Sequence, residues 1–271
     1  MKLRMETAPE NRVQGGSRDA WLCVLALVLC DFIITTWLRI GAHASSRLSH
    51  WFDTPLGLGF KVVVIGGLWL FWALWFSRVA TVRDFIVQVG LKQRLTLSGW
   101  CAAWLAIGIG LVDGYGTSRG WSASSQQPHP LGYDFVGAGW WFFALKAVVI
   151  MPFVEEVVTR GFLYRAFRSN YTSLVSTLLI VCFSACFHWG SVSRSLFTLL
   201  CLGSLSGLLC AVRERTGSLW NCLLGHAVFN AFAIHLWLPS MVGMLLLLAL
   251  VAPESIHRWQ AARAKEPNNS A

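Results

Sequence analysis

The chain has 271 residues, of which 55% are hydrophobic and 13% charged, with 15 Trp, 17 Phe and a formal net charge of +9. Soluble domains carry about a quarter charged residues, so this composition excludes an ordinary water-soluble globule and predicts a polytopic helical membrane protein. No polar stretch is long enough to fold by itself, so a single membrane domain is expected over 19–258, with cytoplasmic tails at 1–18 and 259–271.

Apolar runs predict eight transmembrane helices, at 20–40, 56–77, 97–112, 135–158, 172–190, 196–212, 218–234 and 237–252. The first run is preceded by a polar stretch and no small-residue cleavage site, so it reads as a span and not as a signal peptide. Continuous apolar runs without strand alternation exclude an outer-membrane barrel. Trp21, Trp37, Trp100, Trp140, Trp220 and Trp237 fall near span ends, where amphipathic rings favour the headgroup level. Between the second and third spans, Val82, Phe85, Ile86 and Val89 recur at helical spacing among charges, which predicts a short amphipathic helix. Residues 113–134 form the longest external loop, rich in Gly, Ser and Pro.

The basic residues set the orientation. Starting from the N-terminal tail, alternate segments hold Lys2, Arg4, Arg12 and Arg18; Arg78, Arg83, Lys92 and Arg94; Arg160, Arg165 and Arg168; Arg213 and Arg215; and Arg258, Arg263 and Lys265. The intervening segments hold only Arg39, Arg47, Arg119 and Arg194. This asymmetry predicts that both termini are cytoplasmic. It also accounts for the net charge through anionic lipid, with no nucleic-acid partner. The eight Cys show no CxxC spacing and read as small buried hydrophobes within spans, neither a disulfide framework nor a zinc knot.

Polar residues at membrane depth concentrate after residue 150. The run Val154-Glu155-Glu156-Val157-Val158-Thr159-Arg160 ends an apolar segment in an adjacent carboxylate pair. A carboxylate in hydrocarbon costs several kcal/mol, so such residues mark pathways or reactive sites. On a helix Glu156 and Arg160 lie at i and i+4 and can pair. Glu155 is rotated by about 100° and is left to face the bundle interior. A helix end with both carboxylates in water is the plain alternative.

His188 sits late in an apolar span, and His226 and Asn230 share one face of another. A single buried imidazole or amide is commonly a packing contact between helices. Together, a carboxylate, two imidazoles and an amide supply a base for water and donors for an oxyanion, which is an inventory for peptide hydrolysis without a Ser or Cys nucleophile. Depth is consistent for three of the four: about 15 Å from Arg165 for Glu155, and about 12 and 18 Å from Ser218 for His226 and Asn230. His188, counted from Tyr171, falls deeper at about 25 Å.

The order Glu155-Glu156-x-x-x-Arg160-Gly161-x-Leu163, then His188, then His226-x-x-x-Asn230 resembles the CAAX protease and bacteriocin-processing family, whose members are glutamic-type intramembrane proteases. The likeness covers about 135–235, the expected catalytic half. It departs in the second motif, where the family places Phe four residues before the His and this chain has Ser184, with Phe183 one position earlier. The resemblance implies that Glu155, assisted by His188, activates water, that His226 and Asn230 stabilise the oxyanion, and that Glu156 and Arg160 support Glu155. Two His and one Glu can also hold zinc, but the chain lacks the His-Glu-x-x-His helix that fixes two ligands at once. A site without metal or other cofactor is therefore the expectation. The expected partners are a protein or lipidated-peptide substrate within the membrane and the bilayer itself, and the expected location is a bacterial inner membrane. Two other classes fit the composition: a non-catalytic immunity or scaffold protein, and a proton-coupled transporter using Glu155, Glu156, Asp31, Lys61 and Lys146. A scaffold has no need of the full polar set, and the transporter lacks an internal repeat.

Overall fold

The computed structural model describes residues 16–44, 55–121, 144–188 and 195–233. The predicted eighth span and the C-terminal tail lie outside the described residues, as do 1–15 of the N-terminal tail and 122–134 of the external loop. Every regular element among the described residues is helical. We number these α1 (Ser17–Ala44), α2 (Pro55–Ser77), α3 (Val82–Gln88), α4 (Leu97–Ser118), α5, α6 (Ser173–Phe187), α7 (Leu196–Thr216) and α8 (Leu219–Ala233). The helix α5 is a composite of a π-helical segment Lys146–Ile150, an α-helical segment Met151–Glu156, a second π-helical segment Val157–Leu163 and an α-helical end Tyr164–Arg168.

Seven predicted spans overlap described helices, though residues 135–143 of the fourth lie outside the described residues and its helix runs on to Arg168. Leu97–Gly116 and Leu196–Thr216 are long and apolar enough to cross a bilayer. Val63–Ser77 and Val82–Gln88 form a third candidate, broken by an 89° bend. The bend falls at Arg78, the non-glycine residue with positive φ (54°) among those described, whose guanidinium pairs with Asp19 of α1 at 2.5 Å. The short helix α3 opens on Thr81, whose hydroxyl accepts from the Asp84 amide at 3.1 Å. Phe85 and Val89 point inward while Val82 and Ile86 are exposed, so only half of the predicted apolar stripe is used for packing.

The main core cluster joins α1, α2, α5 and α6 through Leu27, Trp69, Val158, Phe162, Tyr164, Phe167, Ile180 and Phe183. A second joins α4, α7 and α8 through Ala106, Leu205, Leu209, Cys222 and Phe229. Small residues let these helices approach closely, as in bilayers. A Cβ on Gly225 would stand 2.9 Å from a Leu209 methyl, and one on Gly161 would meet the Val89 side chain at 2.9 Å. Both glycines flank polar motif residues, so the close approach fixes where those residues sit. The Cys residues are unpaired thiols; Cys101, Cys182 and Cys186 are exposed on outer helix faces, where the sequence reading has them inside.

The start of α8 is tied to the segment that follows α3. Leu219 donates its amide to Gly90 O at 3.2 Å, Trp220 Nε1 donates to Leu91 O at 2.8 Å, and Asn221 exchanges bonds with Thr96 at 3.0 and 3.1 Å. Gly217 closes α7 in the left-handed conformation (φ 64°), and Arg213 donates to its carbonyl. These bonds set the height at which α8 begins and therefore the height of His226.

Candidate active site

Helix α5 presents the Glu pair between two π-helical segments, a geometry that is rare and concentrates at functional sites. Pro152 gives a local reason for the first. It has no N–H, and its ring clashes with the carbonyl four residues back in an α-helix, so the preceding turn widens. Met151 N–H bonds Lys146 O in π register. The next carbonyl in that register, Ala147 O, would require an N–H at position 152, which proline lacks. Asn230 of α8 meets that need, donating from Nδ2 to Ala147 O at 2.8 Å. The second π segment carries Thr159, whose hydroxyl donates to Glu155 O at 2.5 Å.

Glu156 is fully buried, and its Oε1 receives two donors: Arg160 at 2.9 Å and His226 Nδ1 at 2.7 Å. An ionised carboxylate only accepts, so Nδ1 carries the proton and the other ring nitrogen, Nε2, is directed at Glu155. Arg160, 4% exposed, also donates to Thr159 Oγ1 at 3.0 Å and to Ser206 of α7, at 2.7 Å to the hydroxyl and 3.2 Å to the carbonyl. Ser206 Oγ lies 3.5 Å from Ser184 Oγ of α6. Thus the residue standing where the family pattern has Phe reaches toward the arginine anchor, while Phe183 packs against Trp69 and Phe187.

Glu155 is the more accessible carboxylate, 19% exposed at its side chain. Its Oε2 is 3.7 Å from His226 Nε2 and 4.0 Å from His188 Nε2. Those separations are too long for direct hydrogen bonds and suit one water held among three polar atoms. His188 ends α6 and is 42% exposed, which leaves an open side to the cluster. The depth mismatch for His188 disappears when both helices are measured from their shared turn. Because α5 runs on to Arg168, Glu155 is about 20 Å and His188 about 22 Å from that turn at 1.5 Å per residue.

The structure therefore brings Glu155, Glu156, Arg160, His188 and His226 into one cluster on α5, α6 and α8. Asn230 is one turn beyond His226 and spends one amide proton on α5. Sequence reasoning paired Glu156 with Arg160 alone; the structure adds His226 to the same oxygen. It missed Ser206, Thr159 and Ala147. Nothing in the run Gly203-Ser204-Leu205-Ser206-Gly207 singles out one serine, whereas Pro152 did announce a carbonyl in want of a donor. Glu155, His188 and His226 are the groups a metal would use, but no cluster of three or more His, Cys, Asp or Glu suited to a metal ion is present among the described residues.

Described residues that are helical throughout, with apolar helices of bilayer length and a buried carboxylate, guanidinium and imidazole cluster, mark an integral membrane protein with a polar site inside its bundle. Residues 137–232 match the family described as Type II CAAX prenyl endopeptidase Rce1-like, in agreement with the CAAX protease resemblance of the motifs. The matched segment includes every residue of the cluster. Searches of the curated proteins and of the solved structures give no significant match.

Proposed function

We propose that the chain is an intramembrane endopeptidase that hydrolyses a peptide bond near the C-terminus or membrane segment of a protein substrate, with Glu155 as the base that activates water. The observation that carries this reading is the convergence of Glu155 Oε2 with two imidazole nitrogens at 3.7 and 4.0 Å, from three separate helices. A water between them would lose a proton to Glu155 as its oxygen attacks the substrate carbonyl carbon. The oxyanion would form near His226 Nε2, which donates when it carries a proton, and near the second amide hydrogen of Asn230. Glu155 then returns the proton to the leaving nitrogen as the C–N bond breaks, giving a new carboxyl and a free amine. Glu156 acts here as a buried carboxylate that orients an imidazole, and Arg160 holds that carboxylate in turn. No step in this scheme requires a metal.

The bilayer reading is part of the same proposal. Eight crossings with both termini cytoplasmic would place the cluster below the basic cytoplasmic rim formed by Arg165, Arg168 and Arg215. The family's name makes a prenylated Cys-a-a-X peptide the first substrate to try. The experiment uses the purified protein in liposomes with a quenched fluorescent peptide ending in Cys-a-a-X, offered farnesylated and unmodified. Cleavage by the native chain and none by Glu155→Gln supports the reading. Equal cleavage by both proteins overturns it.

A further inference from the structure

The residues around Arg160 carry an inference that rests on the peptidase reading and deepens it. Arg160 has one nitrogen on Glu156 and the other on Ser206, at 2.9 and 2.7 Å. The first carries the bond that aligns Glu156 with His226; the second ties the guanidinium to α7, which also sets Cys210 against it. Ser206 is buried, and both its hydroxyl and its carbonyl accept from the same guanidinium nitrogen. Such a two-point hold on a buried cation fixes the plane of the fork, and with it the position of the oxygen that His226 Nδ1 meets.

We propose that Ser206 is a positioning residue for hydrolysis, which acts through Arg160 and Glu156 to aim His226 Nε2 at the water beside Glu155. Ser184 is the outer link of the same chain. Its hydroxyl stands 3.5 Å from that of Ser206, and its carbonyl accepts the His188 amide at 3.0 Å. A small hydroxyl at 184 therefore joins the two imidazole arms of the site through α6 and α7, which a Phe there would not do. Charge on the arginine is unaffected by either serine; what they supply is direction.

Steady-state kinetics on the liposome-reconstituted protein with the farnesylated fluorescent peptide tests this. Losing one hydrogen bond to a charged group corresponds to about a tenfold fall in rate when it is felt in the transition state. Ser206→Ala is expected to lower kcat by about tenfold with KM within about twofold, the pattern of a lost transition-state interaction. Ser206→Thr, which keeps the hydroxyl, is expected to recover most of that rate. Arg160→Lys keeps a cation for Glu156 but has no second nitrogen for Ser206, so adding Ser206→Ala in that background is expected to cost nothing further. Thermal unfolding of each variant reports whether packing alone has changed. A Ser206→Ala protein with native kcat, or one whose loss is additive with Arg160→Lys, overturns the proposal while Glu155→Gln remains inactive. Activity retained in Glu155→Gln instead removes the peptidase reading on which the proposal stands.

Discussion

Glu156→Gln isolates what the buried ion pair does, because it keeps the shape of the side chain and removes its charge. In the native protein Glu156 is fully buried and Arg160 is 4% exposed, so solvent cannot replace either partner. Removing one member of such a pair leaves a buried cation uncompensated, at a cost of about 3–5 kcal/mol. Serine and threonine acceptors at 2.7 and 3.0 Å remain for Arg160, which places the expected loss toward the lower limit, near 3 kcal/mol. A second change, Arg160→Met, removes the orphaned cation and is expected to restore at least half of that loss, since a buried pair replaced by apolar side chains is commonly neutral or stabilising. Activity is expected not to return with stability, because His226 Nδ1 no longer has a carboxylate to hold it. Denaturant unfolding in a fixed detergent, read by Trp fluorescence, gives the stabilities, and peptide cleavage gives the activities. If Glu156→Gln unfolds like the native protein, or if the double variant is no more stable than the single one, the buried pair does not bear the weight assigned to it here.

Glu155→Gln is expected to behave in the opposite way: a stability within about 0.5 kcal/mol of native, because the residue is partly exposed and makes no ion pair to Arg160, and a fall in cleavage of about 100-fold or more. Overnight dialysis against a strong zinc chelator, followed by the cleavage assay, is expected to leave the rate unchanged; loss of activity that added zinc restores would point to a metal enzyme. Asn230→Ala is expected to destabilise by about 1–3 kcal/mol, because Ala147 O then has no donor. Pro152→Ala supplies an N–H on α5 itself, so in that background the same Asn230→Ala change is expected to cost clearly less, as a double-mutant cycle in detergent would report.

Seven of the helices were legible because hydrophobic runs report burial or lipid contact directly, and the ends of α3, α6 and α7 carry Thr81, Thr172 and Ser195 as ordinary caps. The cluster residues were legible for a related reason: charged and imidazole groups stand out against an apolar background. What pattern could not show is how α5 is wound. Helical spacing assumes 3.6 residues per turn, so it placed Glu155 and Glu156 on separate faces with separate partners. The Glu156–Arg160 pair is there, but spacing could not show that one imidazole spans the two faces, with His226 Nδ1 on Glu156 and Nε2 toward Glu155. Ser206 was hidden because a lone serine in an apolar helix has no pattern to mark it, and its role depends on a guanidinium 46 positions earlier. His188 was misjudged in depth because the reach of α5 to Arg168 was unknown, which moved the origin of the count.

The bond between Asn230 and Ala147 makes α5 and α8 share a single unmet backbone need. A widened turn holds one residue more than an α-helical turn of the same height, so shortening the chain by one residue within Lys146–Ile150 would let the turn close without unravelling the helix. Because the wide turn itself absorbs the extra residue, the segments on either side would keep their phase and the carboxylates would still face His226. The extra residue thus does its work locally: it turns one carbonyl out of the helix ladder toward α8 and leaves the rest of α5 in register.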